Sequence, residues 1–416
     1  MEYKVENLID SVSKKHTFPG DKIIFLNTSD IEKGYVLHNN YSMIDSLPGQ
    51  AKKSIQKGDI LYSEIRPKNE RFAYINFASD DYVVSTKLMV LRNKKPEILN
   101  TKYFYLYITS KKAIDYLQNL AESRSGTFPQ ITFSEVKNMV IDIPTLAVQN
   151  KIVNSIESID KKIELNKKII ANLEELSQTL FKRWFVDFEF PDENGNPYKS
   201  SGGEMVDSEL GGIPEFWKIS KLEEIIDYSN KSIDVEKSFD KLDYIGLEHI
   251  PKNNKISINN WEDSSKIKGK KTLVSKGDIL FGKLRPYFQK VGISPINGVV
   301  STDILVIRPK KEVFYYFLLI YISQNKFIQY TTNTATGTRM PRTGSKQINT
   351  YKLILPPVST LELFNTTLKN ITINILQKNQ EIRTLEILRD TLLPKLMSGE
   401  IEIPDDIEVN EDELSI

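Results

Sequence analysis

Lys57-Gly58-Asp59-Ile60-Leu61, followed by Arg66-Pro67, returns later in the chain as Lys276-Gly277-Asp278-Ile279-Leu280, followed by Arg285-Pro286. Further matches flank this pair in the same order. Tyr3-Lys4-Val5 aligns with Trp217-Lys218-Ile219, and Asp21-Lys22, Phe25-Leu26 and Ile31 with Asp240-Lys241, Tyr244-Ile245 and Ile250. Val84-Ser85-Thr86 aligns with Val300-Ser301-Thr302, and Tyr107-Ile108 with Tyr321-Ile322. Gly126-Thr127 and Pro129 align with Gly337-Thr338 and Pro341, and Ile143-Pro144 with Leu355-Pro356. The period is about 212 residues, far beyond the roughly 20–50 of solenoid units, so it reads as one duplicated domain.

Each half follows one grammar. Short apolar runs after Gly/Asp/Asn turns predict strands, as at Ile60-Leu61-Tyr62, Tyr82-Val83-Val84 and Leu88-Met89-Val90. An aromatic helix-like stretch follows, Tyr103 to Leu120 and Phe314 to Tyr330, and then a proline-marked boundary. A long helix comes next. In the first, Ile152, Ile156, Ile159, Ile163, Asn166, Ile170, Leu173, Ser177, Leu180 and Trp184 step by fours and threes. In the second, Phe364, Leu368, Ile371, Ile375, Lys378, Ile382, Leu385, Arg389, Leu392 and Leu396 keep the same rhythm. This is a heptad seam with charged flanks, and its polar members Asn166 and Lys378, Ser177 and Arg389, fall in register. Val148 to Trp184 would span about 55 Å at 1.5 Å per residue. An amphipathic helix lying on its own domain would give a similar pattern. Two matched seams in one chain favour packing of one helix on the other, holding the globular halves apart.

The 416 residues carry 56 Lys+Arg and 55 Asp+Glu, a net charge of +1. That balance conceals an asymmetry. Residues 187–215 hold eight acids against Lys199, and residues 400–416 hold eight acids and no base. Without these segments the remainder carries 55 bases and 39 acids, a basic body with two acidic stretches. Each acidic stretch follows one of the long helices. With no cysteine, disulfide scaffolds, cysteine zinc sites, Fe–S clusters and thiol catalysis are excluded. The start Met1-Glu2-Tyr3-Lys4-Val5 shows no secretory leader, and the longest apolar run, Val313 to Ile322, is about half a membrane span. A cytoplasmic protein is expected.

Catalytic signatures are missing. His16, His38 and His249 are isolated, with no metal-ligand spacing. No phosphate loop, dinucleotide turn or nucleophile elbow occurs. Asn196-Pro197-Tyr198 lacks the second proline of an adenine methyltransferase motif, and Pro191-Asp192 lacks a nuclease continuation. No catalytic residue and no metal ligand is assigned. Basic and hydroxyl residues instead cluster at matching places. The candidates are Arg66, Lys68, Arg71, Ser85, Thr86, Arg124, Ser125, Thr127 and Gln130 in the first half. In the second they are Lys283, Arg285, Lys290, Ser301, Thr302, Thr338, Arg339, Arg342 and Lys346. Phosphate contacts use Lys, Arg and hydroxyls, and base edges favour Arg, Gln and Asn. Ordinary solvated surface is the competing reading for any one of them.

Arg183-Trp184-Phe185-Val186-Asp187-Phe188-Glu189-Phe190-Pro191, with Asn194-Gly195-Asn196-Pro197-Tyr198-Lys199-Ser200-Ser201-Gly202-Gly203, resembles the central conserved region of type I restriction-modification specificity subunits. Leu392-Leu393-Pro394-Lys395-Leu396-Met397-Ser398-Gly399-Glu400-Ile401 is similar to that family's C-terminal conserved end. Lys276 to Leu280 with Arg285-Pro286, Tyr244 to Ile250, and Ser125 to Ile131 resemble its recurrent recognition-domain motifs. The loop Thr336 to Arg342 departs from the commoner Ser-Gly-Thr-x-x-Pro-Gln pattern, so the resemblance does not settle the parts of Arg339 and Arg342. It covers nearly the whole chain.

The resemblance implies a mixed α/β (α+β) fold with two target recognition domains in pseudo-twofold repeat, separated by an antiparallel coiled coil. The expected layout is recognition domains at 1–145 and 216–357, long helices at 146–186 and 358–398, an acidic linker at 187–215 and an acidic tail at 399–416. Each recognition domain would bind one half of a split double-stranded DNA target, and the helix length would set the spacer. The subunit would be non-catalytic. It would recruit two methyltransferase subunits and, in the full complex, restriction subunits. S-adenosylmethionine, ATP and Mg²⁺ would belong to those partners, with no membrane involved. A single-chain restriction-modification enzyme and a coiled-coil scaffold with two protein-binding domains are the rival readings.

Overall fold

The Lys-Gly-Asp motif is a strand entrance. Gly58 (φ 96°) and Gly277 (φ 92°) adopt left-handed backbone, which a side chain would strain. The next residue locks the turn: Asp59 accepts the Gln56 N–H and Asp278 the Ser275 N–H, each at 2.8 Å. Both carboxylates also take an arginine fork. Arg92 donates Nε and Nη2 to Asp59 at 2.7 and 2.8 Å, and Arg308 does the same to Asp278 at 2.6 Å for both. The Asp59 side chain is fully buried. The motif recurs because it builds a turn twice.

The computed structural model describes residues 1–18, 20–123, 129–237, 241–253 and 255–404. It divides into two units, Met1–Lys161 with Ile387–Ile416, and Lys162–Glu386. In the first, the strand Ile60–Ser63 lies in an antiparallel sheet ordered Ile9–Ser11, Leu88–Asn93, Ile60–Ser63, Phe72–Tyr74. A second sheet is ordered Tyr41–Met43, Lys22–Leu26, Tyr82–Ser85, Ala51–Ser54, with its two central strands parallel. Ile24, Leu26 and Val84 of this sheet pack on Leu61, Ala73, Leu88 and Val90 of the other. The alternate residues Ile60, Tyr62, Met89 and Leu91 face helices Thr101–Ile108 and Lys111–Glu122. Burial on both faces explains why these strands read as unbroken apolar runs rather than alternating ones.

The second unit repeats this plan. Its antiparallel sheet is ordered Ile226–Tyr228, Ile304–Pro309, Ile279–Gly282, Val291–Ile293. The other sheet gains one edge strand: Ser232–Asp234, Lys270–Val274, Gly298–Val300, Asp243–Ile245, Glu262–Asp263. Glu2–Lys4 pairs with Val140–Asp142 in one unit, and Lys218–Lys221 with Lys352–Leu355 in the other.

The aromatic stretches differ from expectation: each forms two helices instead of one. Thr101–Ile108 stops where Thr109 Oγ1 donates to the Tyr105 carbonyl, and Ser110 caps Lys111–Glu122 by accepting the Ala113 N–H. In the second unit Tyr315–Tyr321 and Asn325–Asn333 break at Ser323-Gln324. Hydroxyls that compete for backbone groups override a continuous apolar pattern.

The long helices run Leu146–Phe185 and Val358–Ser398. Within the second unit Trp184 lies against Phe364 (5.4 Å between rings) and Lys162 against Glu381 (3.8 Å). Within the first, Arg389 pairs with Asp160 at 3.1 Å, and Leu392 and Leu396 join Ile152 and Ile156 in one core. One helix ascends while the other descends, so they pack antiparallel. Ile152, Ile156, Ile163, Ile170, Leu368, Ile371, Ile375 and Ile382 are buried. Ile159, Leu173, Leu180, Leu385 and Leu392 are half-buried. Asn166 is wholly buried beside Glu381, whose carboxyl is held below its usual pKa mainly by its hydrogen bond with Lys378. The helix ends do more than pair: Ile152, Val153 and Ile156 belong to the core of the first globular part, and Phe364 meets Phe181 and Phe185 in the second. Packing on a globular domain and packing helix on helix are therefore both present.

The acidic stretch after the first long helix is folded. Phe190 stacks on Tyr198 at 4.6 Å, Phe188 and Phe190 lie against Trp217, and Met205–Val206 pairs with Ile213–Pro214. Residues 405–416 of the acidic tail lie outside the described residues. No helix among the described residues is long and apolar enough to cross a membrane.

Candidate nucleic-acid interface

A following proline disfavours the right-handed helical region for the residue before it. Arg66 and Arg285 each precede a proline and take left-handed backbone, at φ 45° and 52°. A short 3-10 turn follows, Pro67–Asn69 or Pro286–Phe288, and a second left-handed residue closes it, Glu70 or Gln289. Such backbone costs about 1–3 kcal/mol per residue and persists where surroundings over-determine it. Here a loop does so: Arg66 N–H donates to Pro129 O at 3.0 Å, and Arg285 N–H to Pro341 O at 2.8 Å.

The same frame continues outward. Glu64 N–H donates to Lys87 O and Lys283 N–H to Asp303 O; Ile131 N–H donates to Glu64 O and Thr343 N–H to Lys283 O. Lys87 N–H donates to Ser85 Oγ and Asp303 N–H to Ser301 Oγ. Ile65 bridges Gln130, and Leu284 bridges Arg342. The register of the strand Tyr82–Ser85 against Ala51–Ser54 shifts between Val84 and Ser85, a bulge-like irregularity at the Ser-Thr pair. Arg66, Ser85, Thr86 and Gln130 thus come together in the first unit, and Lys283, Arg285, Ser301 and Arg342 in the second. Lys68 extends from the first turn, its backbone N–H held by Gln118.

In the second unit Arg285, Lys290 and Ser301 line a cleft of about 370 Å³ with Leu247, Glu248, Lys252, Leu284, Phe288 and Asp303. Arg285 Nε is buried with no hydrogen-bond partner among the described residues. Lys290 Nζ donates to Leu247 O. Burial, then the charge of Lys252, pulls its pKa below the usual lysine value. Lys252 sits over the Phe288 ring at 4.5 Å. Thr302, Thr338, Arg339, Arg342 and Lys346 are exposed.

Some basic residues serve the fold. The Arg71 side chain donates to the carbonyls of Ile31 (3.1 Å) and Ser29 (3.4 Å) beside Glu32. Lys53, whose pKa burial lowers, donates to Thr86 O and Leu88 O. Arg124, Ser125 and Thr127 lie outside the described residues. A search by positive charge misses Glu64 and Asp303, and the clusters singled out in the sequence leave out Lys87 and Lys252. The available signal was position: Lys87 and Asp303 directly follow the aligned Ser-Thr pairs. Among the described residues no cluster of three or more His, Asp or Glu could hold a metal ion. His249 is buried and accepts the Gly246 N–H.

Residues 8–175 and 214–386 match the type I restriction modification DNA specificity domain, once in each half. The chain belongs to the type I restriction-modification specificity family. It is 30% identical to the HindI specificity subunit of Haemophilus influenzae, over 96% of this chain and 99% of that protein. It is 27% identical to the MjaIX specificity subunit of Methanocaldococcus jannaschii, over 73% of this chain and 69% of that one. The S subunit of a type I restriction-modification system from M. genitalium shares the fold, with a TM-score of 0.55, 17% identity and 95% of each chain covered. Target recognition on DNA is the family's function, and the duplicated Arg-Pro turn with its docked loop is the repeated feature that carries basic side chains in both units.

Proposed function

We propose that this specificity subunit binds a bipartite, asymmetric DNA target, one half to each unit. The observation that carries this reading is one backbone frame built twice with unlike side chains at its tip. Equal frames suit one duplex geometry, and unlike side chains suit two base sequences. The antiparallel long helices set the spacer between the half-sites. The two units would offer similar docking surfaces to two methyltransferase subunits, and through them to restriction subunits. S-adenosylmethionine, ATP and Mg²⁺ are assigned to those partners, with adenine N6 as the methylated atom and this chain non-catalytic. The complex would act in the cytoplasm. The folded acidic stretch at 187–215 is assigned to partner contacts, away from DNA.

The test is DNA binding by the assembled complex across ionic strength, with methylated adenines mapped in cells with and without this chain. Affinity should fall about a thousandfold or more between 50 and 200 mM salt as counterions are released, and one split motif should lose methylation when the chain is absent. Affinity indifferent to salt would refute the reading. The spacer makes a separate prediction. Removing one heptad from each long helix at matched positions shortens the pair by about 10 Å. The preferred spacer should then contract by about three base pairs at 3.4 Å each. An unchanged spacer would disconnect the helices from that role.

A further inference from the structure

Three positions in the shared frame carry opposed chemistry. Where the first unit has Glu64, Lys87 and Gln130, the second has Lys283, Asp303 and Arg342. Their equivalence rests on matched backbone hydrogen bonds and bridges, not on sequence alignment alone. In the first unit the acid stands just past the strand Ile60–Ser63, before the Arg-Pro turn, and the base beside it, with Lys87 Nζ 3.8 Å from Glu64. In the second the signs are exchanged, and the acid turns to the loop: Arg342 Nε donates to Asp303 Oδ1 at 2.8 Å and Nη2 to Oδ2 at 3.4 Å. That pairing uses the side of the guanidinium. Of its five N–H donors, the two of Nη1 and one of Nη2 have no partner among the described residues, and they form the end-on fork that fits the O6 and N7 acceptors of guanine. The carboxylate raises the pKa of Arg342 and fixes its plane. Gln130 occupies the same place with an amide, whose donor and acceptor fit adenine N6 and N7.

Resting on the DNA-recognition reading above, we propose that 64/283, 87/303 and 130/342 are the specificity-determining positions of the two units. Gln130 reads an adenine edge, and Arg342, positioned by Asp303, reads a guanine edge. The exchange of amide for guanidinium at 130/342 also sets Arg342 against the other unit's sequence, since an arginine facing adenine N6 meets a donor where it needs an acceptor.

The experiment uses the full chain assembled with its methyltransferase partner and a duplex library randomised across the target, with methylated molecules sequenced. R342Q should move one position of one half-site from guanine towards adenine by about ten- to a hundredfold, leaving the other half-site unchanged. Q130R should do the converse in the other half-site. R342K keeps the charge without the planar fork and should weaken the guanine preference without moving it to adenine, while overall affinity and its salt dependence persist. D303N should weaken that preference at the same base only. The assignment is overturned if these variants leave base preference intact, or if they lower methylation of all sequences equally, as a phosphate contact would. If the wild-type complex selects no sequence at all, the DNA-recognition reading falls as well, which separates the two failures.

Discussion

Phe364→Ala should destabilise the second unit by about 3–5 kcal/mol. Phe364 is fully buried. It sits among Phe185 at 4.7 Å, Trp184 at 5.4 Å and Phe181 at 6.2 Å, in edge-on or tilted contact with each. Phe317 backs the same cluster at 5.0 Å from Phe185. Truncation removes a ring's worth of burial and leaves a cavity whose rigid aromatic walls cannot collapse. The cluster joins the end of one long helix to the start of the other, so the loss strikes their pairing. The three tryptophans of the chain, Trp184, Trp217 and Trp261, all fall within the second unit. Denaturant unfolding followed by tryptophan fluorescence therefore reports on it selectively. The midpoint should drop with little change in slope. A stability loss of less than about 1 kcal/mol, well below the usual cost of truncating a buried phenylalanine, would mean that the aromatic cluster repacks freely.

Asp59→Ala should cost the first unit about 3 kcal/mol, because removing one member of a buried ion pair strands the other. Asp59 is wholly enclosed, while Arg92 keeps 28% of its side-chain surface, which holds the penalty towards the lower end. The substitution also orphans the Gln56 N–H at the strand entrance. Asp278→Ala breaks the equivalent pair, but Arg308 retains 41% of its surface. Water can then take over its hydrogen bonds, so the second substitution should cost clearly less. The Asp59 variant should lose far-UV ellipticity at lower denaturant while tryptophan fluorescence stays unchanged. Equal losses in the two variants would show that burial does not set the difference.

The two substitutions illustrate what kind of motif is legible in a sequence. Lys-Gly-Asp reads as a recurrent recognition motif, yet its glycine and aspartate are occupied in building a turn and a buried fork. Arg-Pro is the element whose backbone is strained, with its arginine exposed at Arg66 and half-buried in the cleft at Arg285. A linear pattern reports that residues recur and is silent on whether they face the core or solvent. The same limit applies to charge. Lys53 and Arg71 count as basic residues in the chain but each donates to two backbone carbonyls. Glu64 and Asp303 count against DNA binding but stand inside the basic site.

The sequence by itself determined the duplication, the strand-rich halves and the two long helices. Each rests on local and periodic information: glycines where φ must be positive, apolar runs where both strand faces are buried, and heptads where a helix has one packed seam. The tertiary structure decided the rest. It divided each aromatic stretch at a hydroxyl, and it used the helix ends both for pairing and as globular core. It also brought residues 64, 87 and 130, and separately 283, 303 and 342, into one frame. Those decisions depend on hydrogen bonds between segments distant in the chain, whose energies no periodicity records.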